Sequence, residues 1–356
     1  MGISRLKQLP VRTDEELPTV SVILPARNEE ANISATLTSL ANQDYPKEKL
    51  TIVMVNDRSN DATGAKMQEF ACRYKNFRQV NIEMLPEGFA PKKHALSKAI
   101  SGTDSEMIIT TDADCTHPAE WVRTLLSYFK EDTGLVTALT VFEPDDYTIY
   151  HRLHSLDFLS QAVVSAGAMG NNMPLMCSAP NLAYRRKAFD EIGGYGDKSV
   201  CVSGDDNLLL QNLVKLKKYK TAFAVGSGSI VKSVPPLTVS GVWHQRLRWG
   251  TQGFFYPAKV KLAGLMIFLY YLAIVLCPVL YFAGLISSTS LIVIPLIKII
   301  SDFIVIRAGF KKLKIKFETG IFLLLSAIHP MLIIATLISS FTMPFDWKGT
   351  SLKSRM

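Results

Sequence analysis

Asp112-Ala113-Asp114 sets two carboxylates one residue apart, directly after the apolar run Met107-Ile-Ile-Thr-Thr111. Such charges repel unless a cation neutralises them, and hard divalent cations prefer carboxylate oxygens. The pair therefore suits a metal-bridged phosphate site, with a capping loop as the plainer alternative. Gly204-Asp205-Asp206 precedes the apolar run Leu208-Leu209-Leu210. Acids at a helix start complement the dipole, and the same placement can aim a carboxylate into a cleft, with a low pKa, as a general base. Gln245-Arg246-Leu247-Arg248-Trp249 reads either as a basic interfacial helix with an aromatic anchor or as cations and an aromatic floor for a departing diphosphate and an acceptor. Asp57, in Asn56-Asp57-Arg58-Ser59, can accept hydrogen bonds from a ribose or a base edge, or cap a helix. Lys92-Lys93 offers a phosphate contact or a solvated pair. His117 is a further candidate ligand, although a lone histidine at a helix start is more often a surface residue.

Elements that would position these residues are visible in the pattern. Val20 to Pro25 and Leu50 to Val55 are short, apolar, β-branched runs, with helical pattern from about Glu30 to Asn42 between them. Strand, helix, strand at this spacing predicts a parallel βαβ unit. The pattern continues with a helix from about Ala62 to Tyr74, a strand near Gln79 to Leu85, a helix from about Lys93 to Ile100 and a strand from Met107 to Thr111. Leu135 to Phe142 predicts a further strand and Tyr147 to Ala168 a long helix. The fold class is α/β, a doubly wound, mostly parallel sheet. Ligands in such sheets bind at the carboxyl ends of the strands, where Pro25-Ala26-Arg27-Asn28-Glu29-Glu30, Asp57 and Asp112 fall.

The 356 residues carry a net charge of +8, and 48% of them are hydrophobic. From Lys259 to the end there are 11 Lys/Arg and 3 Asp/Glu. The whole excess of positive charge thus sits there, residues 1–258 are neutral, and the basic balance gives no sign of a nucleic-acid partner. The same boundary appears in the hydropathy: Leu262 to Ile286 and Thr319 to Phe345 run 25 and 27 residues without a charge, each longer than the roughly 20 needed to cross a bilayer as a helix. Leu291 to Ile306, with Pro295, Lys298 and Asp302, allows a span, a re-entrant piece or an interfacial helix, and a span is expected. The expected division is a segment 1–18, a domain 19–258, a membrane domain 259–345 with spans at about 262–286, 291–306 and 320–342, and a tail 346–356. Met1 to Pro18 has no apolar core of the kind a signal peptide needs, which predicts a cytoplasmic domain. Positive-inside bias agrees for Arg307, Lys311, Lys312, Lys314 and Lys316, but the last span then leaves Lys348, Lys353 and Arg355 on the outer side, against that bias. Cys72, Cys115, Cys177, Cys201 and Cys277 form no metal motif and no evident disulfide set, which suits a reducing compartment.

The ordered set strand-P-x-R-N-E, strand-N-D, D-A-D, G-D-D, Q-x-x-R-W and then apolar helices resembles an inverting family 2 glycosyltransferase with the A-type nucleotide-sugar-binding fold, over about residues 20–255. The resemblance implies roles. Glu29, Asp57 and Asp112 would contact the nucleotide, Lys93 the nucleotide or diphosphate, and Asp114 would ligate Mg or Mn. Asp205-Asp206 stands where the family usually has Glu-Asp, so Asp206 would be the base. Arg248 would meet the diphosphate, with Gln245 and Trp249 on the acceptor side. The implied donor is a nucleoside-diphosphate sugar, a UDP-sugar first of all, and the setting is the cell membrane, multi-pass, with the catalytic domain on the cytoplasmic face. Two or three spans are fewer than polymer-extruding synthases of the family carry, which turns the acceptor toward a membrane lipid or lipid-linked glycan. A processive β-polysaccharide synthase is the alternative, and a non-catalytic nucleotide-sugar-binding membrane scaffold the alternative of another class.

Overall fold

The structure, a computed structural model, describes residues 2–12, 17–143, 148–196, 203–347 and 350–352. Tyr147, Cys201, Lys348, Lys353 and Arg355 lie outside the described residues. The chain divides into two compact units, Met1–Pro144 with Val164–Pro235, and Asp145–Val163 with Pro236–Met356.

In chain order the elements are β1 (Val20–Ala26), α1 (Ile33–Ala41), β2 (Leu50–Asp57), α2 (Thr63–Arg73), β3 (Phe77–Ile82), α3 (Pro91–Ser101), β4 (Met107–Thr110), β5 (Cys115–Thr116), α4 (Trp121–Leu126), β6 (Thr133–Ala138), β7 (Thr140–Phe142) and α5 (Ile149–Gly170). There follow β8 (Leu182–Arg185), α6 (Arg186–Glu191), α7 (Asn207–Lys215), β9 (Lys220–Ala224), β10 (Val231–Ser233), α8 (Val239–Gly250), α9 (Ala258–Phe282), α10 (Ser288–Leu313), α11 (Thr319–Thr342), β11 (Phe345–Trp347) and β12 (Thr350–Leu352).

The first unit is built on a seven-stranded sheet of order β3-β2-β1-β4-β8-β6-β9. Neighbours run parallel except where β8 meets β4 and β6, so the sheet is mixed and mostly parallel. Strands covered on both faces read as continuous apolar runs. β4 is accordingly buried at every residue, and Ile33, Leu37 and Leu40 of α1 share its core with Leu24, Ile52 and Met54.

The single strand expected over Leu135 to Phe142 is two. β6 stays in the large sheet, while β7 joins a small sheet of order β5-β10-β7. The switch falls at Leu139, whose carbonyl accepts from Val231 N at 3.0 Å and from the Asn181 amide at 2.8 Å. Asn181 also accepts from the indole N–H of buried Trp121 at 2.9 Å. An apolar run carries no mark of such a corner, because both halves remain buried.

In the second unit α9, α10 and α11 are each long and apolar enough to cross a membrane. The middle segment, only 16 uncharged or paired positions in the sequence reading, becomes a helix of 26 residues that keeps Pro295 inside it. α8 and the part of α5 up to Val163 belong to the same unit.

Candidate active site

Two loops at the carboxyl ends of β1 and β2 are stitched to each other. Asn28 N donates to Ser59 Oγ at 3.1 Å and Asn60 N to Asn28 Oδ1 at 3.0 Å; Glu29 N donates to Thr63 Oγ1 at 2.8 Å. Asn28 and Arg58 both adopt left-handed backbone, φ 53° and 56°. Asn tolerates this region, whereas a non-Gly residue such as Arg stores about 1–3 kcal/mol there, and the cross-loop bonds hold it. Asp57 is buried and receives the Arg58 guanidinium at 2.7 Å and 3.1 Å, while Glu29 Oε2 accepts from the Asn32 amide at 2.9 Å. Two polar atoms near these loops have no hydrogen-bond partner among the described residues, Arg27 Nε and His94 Nδ1. Burial lowers the His94 pKa although the nearby Asp57 opposes the shift, so the ring is neutral and free to bond a polar ligand. Neither Arg27 nor His94 was assigned a role from sequence.

The acids converge on one ammonium group. Lys92 Nζ lies 2.7 Å from Asp112 Oδ1 and 3.1 Å from Asp205 Oδ2. Burial opposes its charge, but Asp112 and Asp205 outweigh that and raise its pKa. The sequence offers Lys92-Lys93 together as a phosphate contact or a solvated pair, and the resemblance singles out Lys93, which is buried on α3. The missed signal is Pro91 at the first position of α3, a favoured helix start that sets Lys92 in the first turn, beside the acids.

Asp206 caps α7. Its Oδ1 accepts from Asn207 N at 2.6 Å and its Oδ2 from Ala179 N at 3.1 Å, which leaves each oxygen a further lone pair. Gly204, at φ 82°, makes the left-handed turn that delivers the pair, a conformation a side chain would disfavour. Burial and then the adjacent Asp205 push the Asp206 pKa up to about 7, in place of the low value a helix N-terminus alone would give. The same two acids, after burial, raise the pKa of the Cys177 thiol. The Tyr195 hydroxyl, 3.2 Å from that of Tyr184, adjoins them as well.

Asp114 is half-buried, and its carbonyl is fixed by Val234 N at 3.1 Å. Among the described residues no group of three His, Cys, Asp or Glu forms a metal cage. The donors fit a Mg or Mn ion of the kind held by one or two carboxylates together with substrate phosphates. Asp112 is engaged by Lys92, and Asp114 Oδ1 accepts from the Cys115 thiol at 3.4 Å, a thiol that burial keeps protonated. His117 is no ligand: Ser39 Oγ and Thr111 Oγ1 meet its two nitrogens at 3.0 Å and 2.7 Å, and burial pushes its pKa down to about 3.

Gln245, Arg248 and Trp249 lie on α8 in the second unit. Gln245 Oε1 is buried with no hydrogen-bond partner among the described residues. Trp249 stacks on Phe158 with ring centroids 6.0 Å apart. The structure thus gathers Lys92, Asp112, Asp205 and Asp206 in the first unit, sets Glu29 and Asp57 on neighbouring strand ends of the same sheet, and carries the Q-x-x-R-W residues separately.

Residues 21–193 match the family model for glycosyl transferase family 2. The match covers just under half of the chain. It is 28% identical over 238 residues to the probable glycosyltransferase YdaM of Bacillus subtilis (strain 168), covering 66% of this chain and 55% of that one. It is 25% identical over 249 residues to the β-monoglucosyldiacylglycerol synthase of Synechocystis sp. (strain PCC 6803), covering 67% and 48%. The chain therefore spans about half the length of these curated relatives. Among solved structures it resembles a mannosyltransferase from Pyrobaculum calidifontis in complex with GDP-Man and Mn2+, at 18% identity and a TM-score of 0.56 over 94% of this chain and 89% of the other. That likeness is one of fold: an A-type glycosyltransferase sheet followed by apolar helices.

Proposed function

We propose that this chain is a membrane-bound inverting glycosyltransferase that moves a sugar from a nucleoside-diphosphate sugar, a UDP-sugar first of all, to a membrane lipid or lipid-linked acceptor. The observation that carries the reading is the gathering of Asp205 and Asp206 with Asp112 around the Lys92 ammonium. A binding scaffold needs phosphate contacts but no second acid with its pKa near neutrality. Residues 19–258 would form the catalytic part, with Glu29, Asp57 and Asp112 on the nucleotide and Gln245 and Trp249 on the acceptor side.

Asp206 would take the proton from the acceptor hydroxyl, whose oxygen attacks the anomeric carbon from the face opposite the diphosphate and inverts it. A carboxylate with a pKa of about 7 is both ionised in useful amount and basic enough to work at neutral pH. Lys92, together with Lys93 and Arg248, would offset charge on the leaving diphosphate. Asp114 would hold a divalent cation, which when bound neutralises diphosphate oxygens.

The reading is tested by incubating the purified full chain with a panel of nucleotide sugars and a total lipid extract, and weighing the products. A lipid heavier by one sugar residue is expected. A polymer would establish the processive synthase, and no product with any donor would overturn transfer altogether. For the membrane, the cytoplasmic face is proposed for the catalytic part and for Arg307 to Lys316, following positive-inside bias. Labelling of Lys312→Cys from the outer face would overturn that orientation.

A further inference from the structure

α5 brings a charge and a ring, one residue apart, to the helix that carries Q-x-x-R-W. Asp157 is 2% exposed and Arg246 6% exposed, and Arg246 Nη2 donates to Asp157 Oδ2 at 2.5 Å. His329 Nε2 of α11 meets the other oxygen at 3.3 Å, and the Gln161 amide adds a bond at 3.1 Å from the next turn of α5. Against burial, His329 and Arg246 lower the Asp157 pKa and keep it a carboxylate. The neighbouring Phe158 stacks on Trp249 at an interplanar angle of 25°. At the end of α8, a Cβ on Gly250 would stand 2.7 Å from the Ser340 Cβ of α11, so backbone approaches side chain there more closely than any larger residue permits.

These contacts fix α8 in rotation as well as position. Residues two apart on a helix point about 200° apart, and those three apart lie on one side. Holding Arg246 and Trp249 against α5 therefore turns Arg248 away from α5; Arg246 is buried and Arg248 is not. A buried Arg–Asp pair gives little stability over a well-packed apolar pair of similar volume, whereas it tolerates only one register.

We propose that Asp157 and Phe158 are positioning residues for the transfer reaction, fixing through Arg246 and Trp249 the orientation in which α8 presents Gln245 and Arg248. This rests on the transferase reading for its kinetic consequence, but not for its structural one. The role of Arg246 then differs from that of Arg248: the first seats the helix and the second meets the ligand.

The test uses the full chain in lipid nanodiscs. Asp157→Asn and Phe158→Ala are expected to lower kcat on the order of 10- to 100-fold, as misplacement of catalytic groups does, and to weaken UDP and GDP binding measured calorimetrically in Mg, because Arg248 meets the diphosphate. Phe158→Tyr, which restores the ring, is expected to restore kcat. Unchanged turnover per folded molecule in both Asp157→Asn and Phe158→Ala would overturn the proposal, as would equal loss in Phe158→Ala and Phe158→Tyr. A second readout needs no activity: in a Cys72→Ser background, the rate of maleimide labelling at Arg248→Cys is expected to change several-fold when Asp157→Asn is added. If the unmutated chain transfers no sugar from any donor, the transferase reading fails, and the labelling rates alone decide for or against positioning.

Discussion

In the first unit an ammonium group, that of Lys92, lies against the carboxylates of Asp112 and Asp205 with Asp206 close by, whereas in the second a carboxylate, that of Asp157, is held between the Arg246 guanidinium and the His329 ring. Asp112 remains a third exposed and Asp206 half-buried, and Asp206 sits near pH 7 in its protonation. Asp157 is almost wholly enclosed and its pKa is lowered. One arrangement leaves charge unresolved at a strand end that a ligand can reach. The other closes charge on itself, where its consequence is register. Perturbed carboxylates thus separate into two kinds by what they still lack, and burial alone does not sort them.

Asp206→Asn tests the contrast most severely. The side chain keeps its size, so turnover is expected to fall by roughly 10²–10⁴, the usual loss for a general base, with nucleoside-diphosphate affinity kept. Asp206 also caps α7, but Asn caps a helix about as well as Asp, so little stability should be lost with it. Asp205→Asn should be milder in turnover. Kinetics, calorimetric nucleotide binding and thermal melting of both variants check this; an active Asp206→Asn beside a dead Asp205→Asn would move the base to Asp205.

Lys92→Met should cost about 3 kcal/mol in chemical denaturation, the low end for breaking a buried ion pair, because Asp112 keeps some solvent. Its second effect concerns pH. Asp206 must be ionised to act, so the rate should rise with pH through about 7 and level off above. The Lys92 charge lowers that pKa, so in Lys92→Met the ascending limb should shift to higher pH. Stability has the opposite sign: the folded pKa exceeds the unfolded one, so this group's contribution is full below the ordinary carboxylate range and is lost as pH rises toward 7. A rate profile with no limb between pH 6 and 8, or one unmoved by Lys92→Met, would break the electrostatic account; the pH range is about one unit either side of that value.

The strands β1, β2 and β4 and the acids at their ends were legible because parallel strands buried on both faces leave unbroken apolar runs, and because polar residues at the run ends stand out. The corner at Leu139, Lys92 and the α5 contacts were not. Leu139 turns between two buried sheets, and Lys92 differs from Lys93 only by where α3 starts. Asp157 lies 89 residues from Arg246 in sequence, in a helix whose polar and apolar residues give no periodic hint of a partner. Long-range pairing of single charges has no local signature, and it was the pairing that distinguished the roles.

The smallest effect belongs to Lys298 and Asp302, spaced i,i+4 on α10 with Nζ 3.1 Å from Oδ2. A charge inside an apolar helix is costly unless paired, and here Lys298 has further company: its ammonium donates to the Ser326 carbonyl of α11 at 3.4 Å and lies 5.8 Å from the centre of the Tyr271 ring of α9. The lysine is 4% exposed and the aspartate 39%, so the cation is the buried partner and the acid its outer cover. Asp302→Asn removes the cover but leaves the carbonyl and the ring, and should cost about 0.5–1 kcal/mol. The apparent KM for a lipid acceptor should not move, since this pair, like Asp157 and Arg246, is closed on itself. Melting temperature and acceptor kinetics of the same preparation decide it. A several-fold rise in acceptor KM at unchanged melting temperature would place Asp302 with the ligand-facing carboxylates of the first unit, and the contrast between the two units would then fail at its weakest member.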